Sequence, residues 1–244
     1  MKPIVTELRA KGAAKAALSG PMWDVLAEKV DVWLASSELQ AYIDAYKANP
    51  PTKEEDDYHK YYIARWMPHS FETTTYEEDD PFVAAAISPT FLDVLREYFG
   101  GRQPRLEYYD VWHTFPMEVV RQRVGSQDWH SDKPGFGKDS RYAKIFLYFA
   151  DCLHEGAGPM EIWSKQGPIS CYAKRGDLWF VDTGGFLHRG GYSLTEPRTY
   201  AVFVYYDPAK TQPKPYYNLT PAARMKFDSP VLWTVDDWDA AKHE

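Results

Sequence analysis

The chain has 244 residues, 44% apolar and 26% charged, with a formal charge of −7. That length suits one domain with a sizeable core, and the acidic balance argues against a sequence-independent nucleic-acid binder, which needs a net positive field. The start, Met1-Lys2-Pro3-Ile4-Val5-Thr6, lacks the apolar segment of a signal peptide, no stretch is apolar enough to span a bilayer, and only Cys152 and Cys171 are present, so a cytoplasmic protein without a disulfide framework or membrane partner is expected.

Residues 1–100 read mainly as helical support. Thr6 to Leu18 is Ala-rich and stops at Ser19-Gly20-Pro21. Trp23, Leu26, Val30, Trp33 and Leu34 then recur at helical spacing, so one helix or two in tandem extends to Lys47, where Asn49-Pro50-Pro51 breaks it. A charged stretch through Asp57 is expected to be exposed. Pro81 to Phe99 is a further helical segment that can break at Ser88-Pro89 and ends at Gly100-Gly101.

Beyond Gly101 the texture changes to short apolar, aromatic strands. Val119 to Val124 reads as a strand leading into a loop around His130. Ala143 to Ala150 alternates, with Lys144, Phe146 and Tyr148 on one face and Ile145, Leu147 and Phe149 on the other. Asp177 to Asp182 and Thr199 to Tyr206 are further strands, separated by the turn clusters Gly156-Ala157-Gly158-Pro159, Gly184-Gly185, Gly190-Gly191 and Glu196-Pro197. Helices followed by many punctuated strands suggest an antiparallel sandwich or barrel backed by helices. The whole chain, 1–244, is expected to form a single catalytic domain, with a core over 101–210 and a tail over 211–244 that packs on the core or forms a lid. The aromatic share is 16%, with nine Trp and eighteen Tyr, and most of these rings should be core or cleft wall.

The chemistry centres on His130 and Asp132 in Asp128-Trp129-His130-Ser131-Asp132, with His188 in the Gly-rich run Gly184 to Gly191. On a strand end, residues two apart project to one side, so His130 and Asp132 can face one ion. Two histidines and one carboxylate with the opposite positions open suit a non-haem Fe(II) oxygenase better than a Ca²⁺ or Mg²⁺ site. Alone, His-x-Asp also fits a surface turn with a capping Asp, and a single His fits a structural role. Arg198 enters the apolar segment Thr199 to Val204 at its first position. A buried guanidinium there needs an anion, either a structural acid of the chain or the carboxylate of an oxoacid co-substrate.

Taken in order, these segments resemble the Fe(II)/2-oxoglutarate dioxygenases, and within them the phytanoyl-CoA dioxygenase-like family. The resemblance rests on Trp129 to Asp132, Lys144 to Asp151, Gly156 to Trp163, Lys174 to Asp182, His188 and Arg198, and covers roughly residues 100–206. It implies a mainly β fold with N-terminal helices, a double-stranded β-helix (jelly roll, cupin-like). It implies His130, Asp132 and His188 as catalytic iron ligands and Arg198 as the site for the distal carboxylate of 2-oxoglutarate. Tyr148 and Lys144 are further candidates for the co-substrate pocket, and an ordinary wall role fits both as well. The implied cofactors are Fe(II), 2-oxoglutarate and O2, and the implied reaction is hydroxylation of an unactivated C–H bond of a small organic metabolite, with release of succinate and CO2. Asp132 stands where halogenating relatives have a small residue, which argues against halogenation. The chain departs from the family in Trp163-Ser164-Lys165-Gln166-Gly167, where a Pro-Gly-Ser-His-like segment is common, and in lacking an Asn between His188 and Arg198.

Other readings stay open at the level of sequence: a cupin-like metal enzyme without 2-oxoglutarate, a non-catalytic jelly roll that binds a ligand through its Tyr and Trp residues, or an enzyme acting on a peptide or nucleic acid. Lys133, Lys138, Arg141 and Arg189 are candidates for an anionic substrate group. Tyr58, Tyr61, Tyr62, Trp66, Tyr109 and Trp112 are candidates for a pocket wall. His59, His69, His113, His154 and His243 have no ligand-like spacing.

Overall fold

The computed structural model describes residues 2–49, 63–66, 74–116, 125–132, 141–210 and 214–241. The strand expected over Val119 to Val124 lies outside them, as do Tyr58, Tyr61, Tyr62, Lys133, Lys138, His59, His69 and His243.

Helix α1 (Lys2–Lys11) is shorter than the Ala-rich run suggests, because the chain turns at Gly12 and continues as strand β1 (Ala13–Ala17). Gly12 has φ 80°, and a Cβ there would lie 2.4 Å from the Phe186 ring, so only glycine serves. The expectation of helix through Leu18 is thereby corrected. Alanine's high helix propensity yields to pairing of β1 with β8 (Asp177–Val181), in the register Ala13 opposite Val181 and Ala17 opposite Asp177.

Helices α2 (Pro21–Leu34) and α3 (Ser37–Ala48) are the tandem pair, separated where Ser36 caps α3 by accepting a hydrogen bond from the Leu39 amide at 3.2 Å. The 81–99 segment breaks at Ser88-Pro89 into α4 (Pro81–Ala86) and α5 (Pro89–Tyr98). Asp80 caps α4 through its carboxylate, and proline opens both helices, where a missing N–H costs nothing.

The main sheet has six antiparallel strands in the order β1, β8, β5 (Tyr142–Tyr148), β10 (Arg198–Tyr206), β4 (Arg105–Thr114) and β2 (Ile63–Arg65). Strand β4 is not evident from the pattern, because Glu107, Asp110 and His113 interrupt its apolar alternation. A smaller antiparallel sheet has the order β7 (Gly167–Cys171), β6 (Met160–Ser164), β9 (His188–Arg189). The architecture is the double-stranded β-helix, with helices on the N-terminal side.

Alternation along the strands divides the interior. Ile145, Leu147, Ala201, Phe203 and Tyr205 face a core built with α1, α2, α4 and α5, whereas Phe146, Tyr148, Tyr200, Val202 and Val204 face the smaller sheet. The C-terminal segment adds β11 (Tyr217–Leu219), paired in parallel with β3 (Thr74–Tyr76) from the N-terminal half, then α6 (Pro221–Lys226) and α7 (Val235–Ala241). Its Tyr217, Leu219, Phe227 and Val231 join the helix-side core. Among the described residues, no helix is long and apolar enough to cross a membrane.

Candidate active site

The segment carrying His130 is held against β9 by a two-way backbone bridge: the His130 amide donates to the His188 carbonyl at 3.0 Å and the His188 amide to the His130 carbonyl at 2.8 Å. Two residues on, the Asp132 amide donates to the Thr183 carbonyl at 2.8 Å. These contacts tie the loop to both ends of the β8–β9 turn. That turn is fixed by Asp182, whose carboxylate accepts from the Tyr98 hydroxyl and, at 2.7 Å, from the Gly185 amide. Burial raises the Asp182 pKa.

Three side chains converge as a result. One ligand-type atom from each of His130, Asp132 and His188 lies within 4.8 Å of the others, the separation at which a single ion can bridge them. His188 Nε2 is 3.7 Å and His130 Nε2 3.9 Å from the Asp132 carboxylate oxygens. His130 Nδ1 is 2.7 Å from the Asp128 carbonyl. A carbonyl only accepts, so Nδ1 carries the proton and Nε2 presents a lone pair to the cluster. Burial pushes the His188 imidazole down to about 3, so it is neutral near pH 7. Burial alone would raise Asp132; the Lys144 ammonium, the neighbouring His188 and the hydrogen bond from Thr183 together outweigh it and hold the carboxyl well below the usual carboxylate range. Two neutral nitrogens and one carboxylate are the donor set of a borderline divalent metal.

The outer face of the small sheet clamps this arrangement. Glu161 pairs with Arg189 across the strands, and the Arg189 guanidinium lies 4.4 Å over the Trp129 ring. Trp129 meets Trp163 edge-on at 5.2 Å. Arg189 thus points away from the cluster, and Arg141 donates to the Tyr98 carbonyl at 2.8 Å. Neither faces the pocket as an anion site; both serve as structural ties.

A cavity opens from the cluster between the two sheets. Its lining includes His130, Lys144, Tyr148, His188 and Arg198. Gly190 and Gly191 form part of the wall, and a Cβ on Gly191 would lie 2.4 Å from the Pro159 carbonyl oxygen, so the chain passes there by backbone contact alone. Arg198 is 3% exposed, on the first residue of β10, opposite Thr114. Among the described residues no carboxylate pairs with it, and its buried Nε has no hydrogen-bond partner. Its guanidinium sits 5.0 Å from the Tyr200 ring. Tyr148 lies one strand over, opposite Tyr200, and is fully buried; burial pushes its hydroxyl well above the ordinary tyrosine value, against the opposing pull of Arg198. Lys144 Nζ lies 2.7 Å from Asp132 Oδ2.

The aromatic part of the remaining wall comes from β4, β5 and β10. Trp112 lines the cavity, with its indole N–H donating to the buried Asp110 carboxylate at 2.7 Å, whereas Tyr109 alternates to the other face and stacks on Tyr76 and Phe82. Trp66 packs against Trp33 and Phe82 in the helix-side core. Tyr200 and Val202, two and four residues past Arg198, follow from strand alternation once Arg198 faces inward. Ser126, Gln127 and Met160 carry no sequence signal that marks them.

No protein-family model matches the chain, and no curated protein matches it. Solved structures do match in fold. HygX from Streptomyces hygroscopicus, crystallised with nickel and 2-oxoglutarate, is 11% identical with a TM-score of 0.57, over 92% of this chain and 94% of its own. EctD from S. alaskensis, with 2-oxoglutarate and 5-hydroxyectoine, is 15% identical with a TM-score of 0.58, over 89% and 79%. The epimerase SnoN, in complex with Fe3+, alpha ketoglutarate and nogalamycin RO, is 13% identical with a TM-score of 0.52, over 84% and 83%. At these identities the likeness establishes the shared fold.

Proposed function

We propose that this protein is an Fe(II)- and 2-oxoglutarate-dependent oxygenase that hydroxylates a C–H bond of a small organic metabolite. The observation that carries the reading is the buried Arg198 guanidinium, without a carboxylate among the described residues, in the same cavity as the His130–Asp132–His188 cluster. An unpaired buried charge is costly, and a site that keeps one is built for a ligand of opposite sign. The fold shared with enzymes crystallised with iron, nickel and 2-oxoglutarate supports the reading.

His130, Asp132 and His188 would hold the iron through Nε2, a carboxylate oxygen and a ring nitrogen. Iron with 2-oxoglutarate and O2 supplies the oxidising power: the oxoacid is cleaved to succinate and CO2, one oxygen atom enters succinate and the other the substrate C–H bond. The chain's own part is placement. The Asp128 carbonyl sets the His130 tautomer, and burial keeps His188 unprotonated and able to ligate. Arg198 would take the distal carboxylate in a two-point contact, with Tyr148 beside it as a second candidate donor. Trp112, Phe146 and Tyr200 wall the cavity and exclude water from the oxidation. The two free, buried cysteines suit a reducing, cytoplasmic setting.

SnoN is an epimerase on the same fold, so the outcome at the substrate carbon depends on how that carbon is placed. The test is succinate release from 2-oxoglutarate with Fe(II). His130→Ala is expected to abolish it, and Arg198→Ala to raise the 2-oxoglutarate concentration it requires. Undiminished turnover in either variant would remove that residue from the site.

A further inference from the structure

Two cations line the cavity on the main sheet, and they stand in different electrostatic situations. Arg198 has no acid among the described residues. Lys144 has one, Asp132, at 2.7 Å. The Lys144 side chain is 15% exposed, and its cross-strand neighbours, Val204 on β10 and Val181 on β8, offer no polar partner. Without metal, the pair is balanced.

Metal binding upsets that balance, because Asp132 then spends its charge on the ion. A dication, the Asp132 carboxylate, doubly charged 2-oxoglutarate and Arg198 cancel among themselves, and both histidines are neutral ligands. Lys144 is left as a surplus positive charge in a cavity whose lining pairs the apolar Phe146, Met160 and Val202 with the neutral polar Thr114, Ser126 and Gln127 and supplies no further carboxylate among the described residues. A surplus ammonium in apolar surroundings is costly unless an anion joins it. Arg189 cannot share this task, since it is tied to Glu161 on the outer face of the small sheet.

We infer that Lys144 is the specificity-determining cation that docks an oxyanion on the substrate, so that the enzyme acts on small organic acids, carboxylates or phosphates, whose apolar or ring body lies against the aromatic wall. The inference rests on the function proposed above. In the metal-free protein Asp132 holds the ammonium in place; metal releases it to the incoming acid, so substrate docking follows loading of the iron and co-substrate.

The experiment uses the full chain, loaded with Fe(II) and 2-oxoglutarate without oxygen, and follows the charge-transfer absorption of the chelate. Inorganic phosphate and acetate are titrated separately, to distinguish the two acid classes, with glycerol as the uncharged control. One of the two anions is expected to perturb the band saturably in the native protein. Lys144→Met should weaken that response by about tenfold or more, and Lys144→Arg should restore most of it. No response to either anion, or an equal response in Lys144→Met, would overturn the inference. So would a rise of about tenfold or more in the 2-oxoglutarate concentration needed to form the band in Lys144→Met, which would assign the ammonium to the co-substrate. Absence of the band from the native protein would instead count against the function itself.

Discussion

Strands β5 and β10 carry two different surfaces on alternate residues. On the helix side, Phe203 meets Phe82, Phe91 and Tyr109, and Tyr205 donates its hydroxyl to the Ala86 carbonyl at 2.8 Å, so these side chains are satisfied within the fold. On the cavity side, among the described residues, the same strands present Arg198 without an acid and Lys144 paired with Asp132. The first face is closed by its own contacts, and the second keeps a buried guanidinium with no carboxylate partner among the described residues. A shift of one residue would exchange them, which is why the register of β10 against β5 and β4 is the property on which both stability and chemistry depend.

The largest expected effect lies on the closed face. Phe203→Ala should destabilise the fold by about 3–5 kcal/mol, measured by denaturant unfolding, since it empties a fully buried aromatic site. The open face should respond in the opposite way. Arg198→Met removes a buried charge that no carboxylate among the described residues compensates, so unfolding stability should hold or rise while 2-oxoglutarate affinity falls by about 2–3 kcal/mol, read by titration. If Arg198→Met unfolded the protein as Phe203→Ala does, the guanidinium would be a structural member and the contrast between the faces would fail.

A smaller effect tests the acid response of the helix side. His113 on β4 packs edge-on against Trp33, with Nδ1 at 2.9 Å from the Thr199 hydroxyl, and burial lowers its pKa to about 4. The unfolded chain takes up this proton near pH 6.5, before the folded one does, so stability is full above that pH and falls as pH drops toward 4. His113→Gln should flatten the melting temperature against pH over that window, by an amount equivalent to about 1–2 kcal/mol. An unchanged slope would show that His113 contributes nothing to the acid sensitivity. Smallest is Ser36→Ala, expected to cost about 1 kcal/mol through loss of the α3 cap, with no change at the cavity.

Much of this contrast was legible before the structure. Alternation in Ala143 to Ala150 assigns Lys144, Phe146 and Tyr148 to one face, and the structure places them there. His130, Asp132 and His188 cluster, and His130 and His188 line one cavity with Arg198. What local pattern could not express is pairing at a distance. Ala13 to Ala17 is a strand only because β8 lies beside it and Gly12 turns the chain. Strand β4 hides behind polar residues that its neighbours compensate: Asp110 takes the Trp112 indole, and His113 takes Thr199. The Lys144–Asp132 contact joins two segments with no shared period, and Arg189, beside His188 in sequence, faces the other way for the same reason of strand alternation that turns His188 inward.

The most direct test of the central claim is an oxygen-free titration of the protein with Fe(II) and then 2-oxoglutarate. One equivalent of iron is expected to bind and the co-substrate to bring up a charge-transfer absorption, with the iron lost in Asp132→Ala and the co-substrate response strongly weakened in Arg198→Met. Iron binding that ignores Asp132, or a co-substrate response that ignores Arg198, would contradict it.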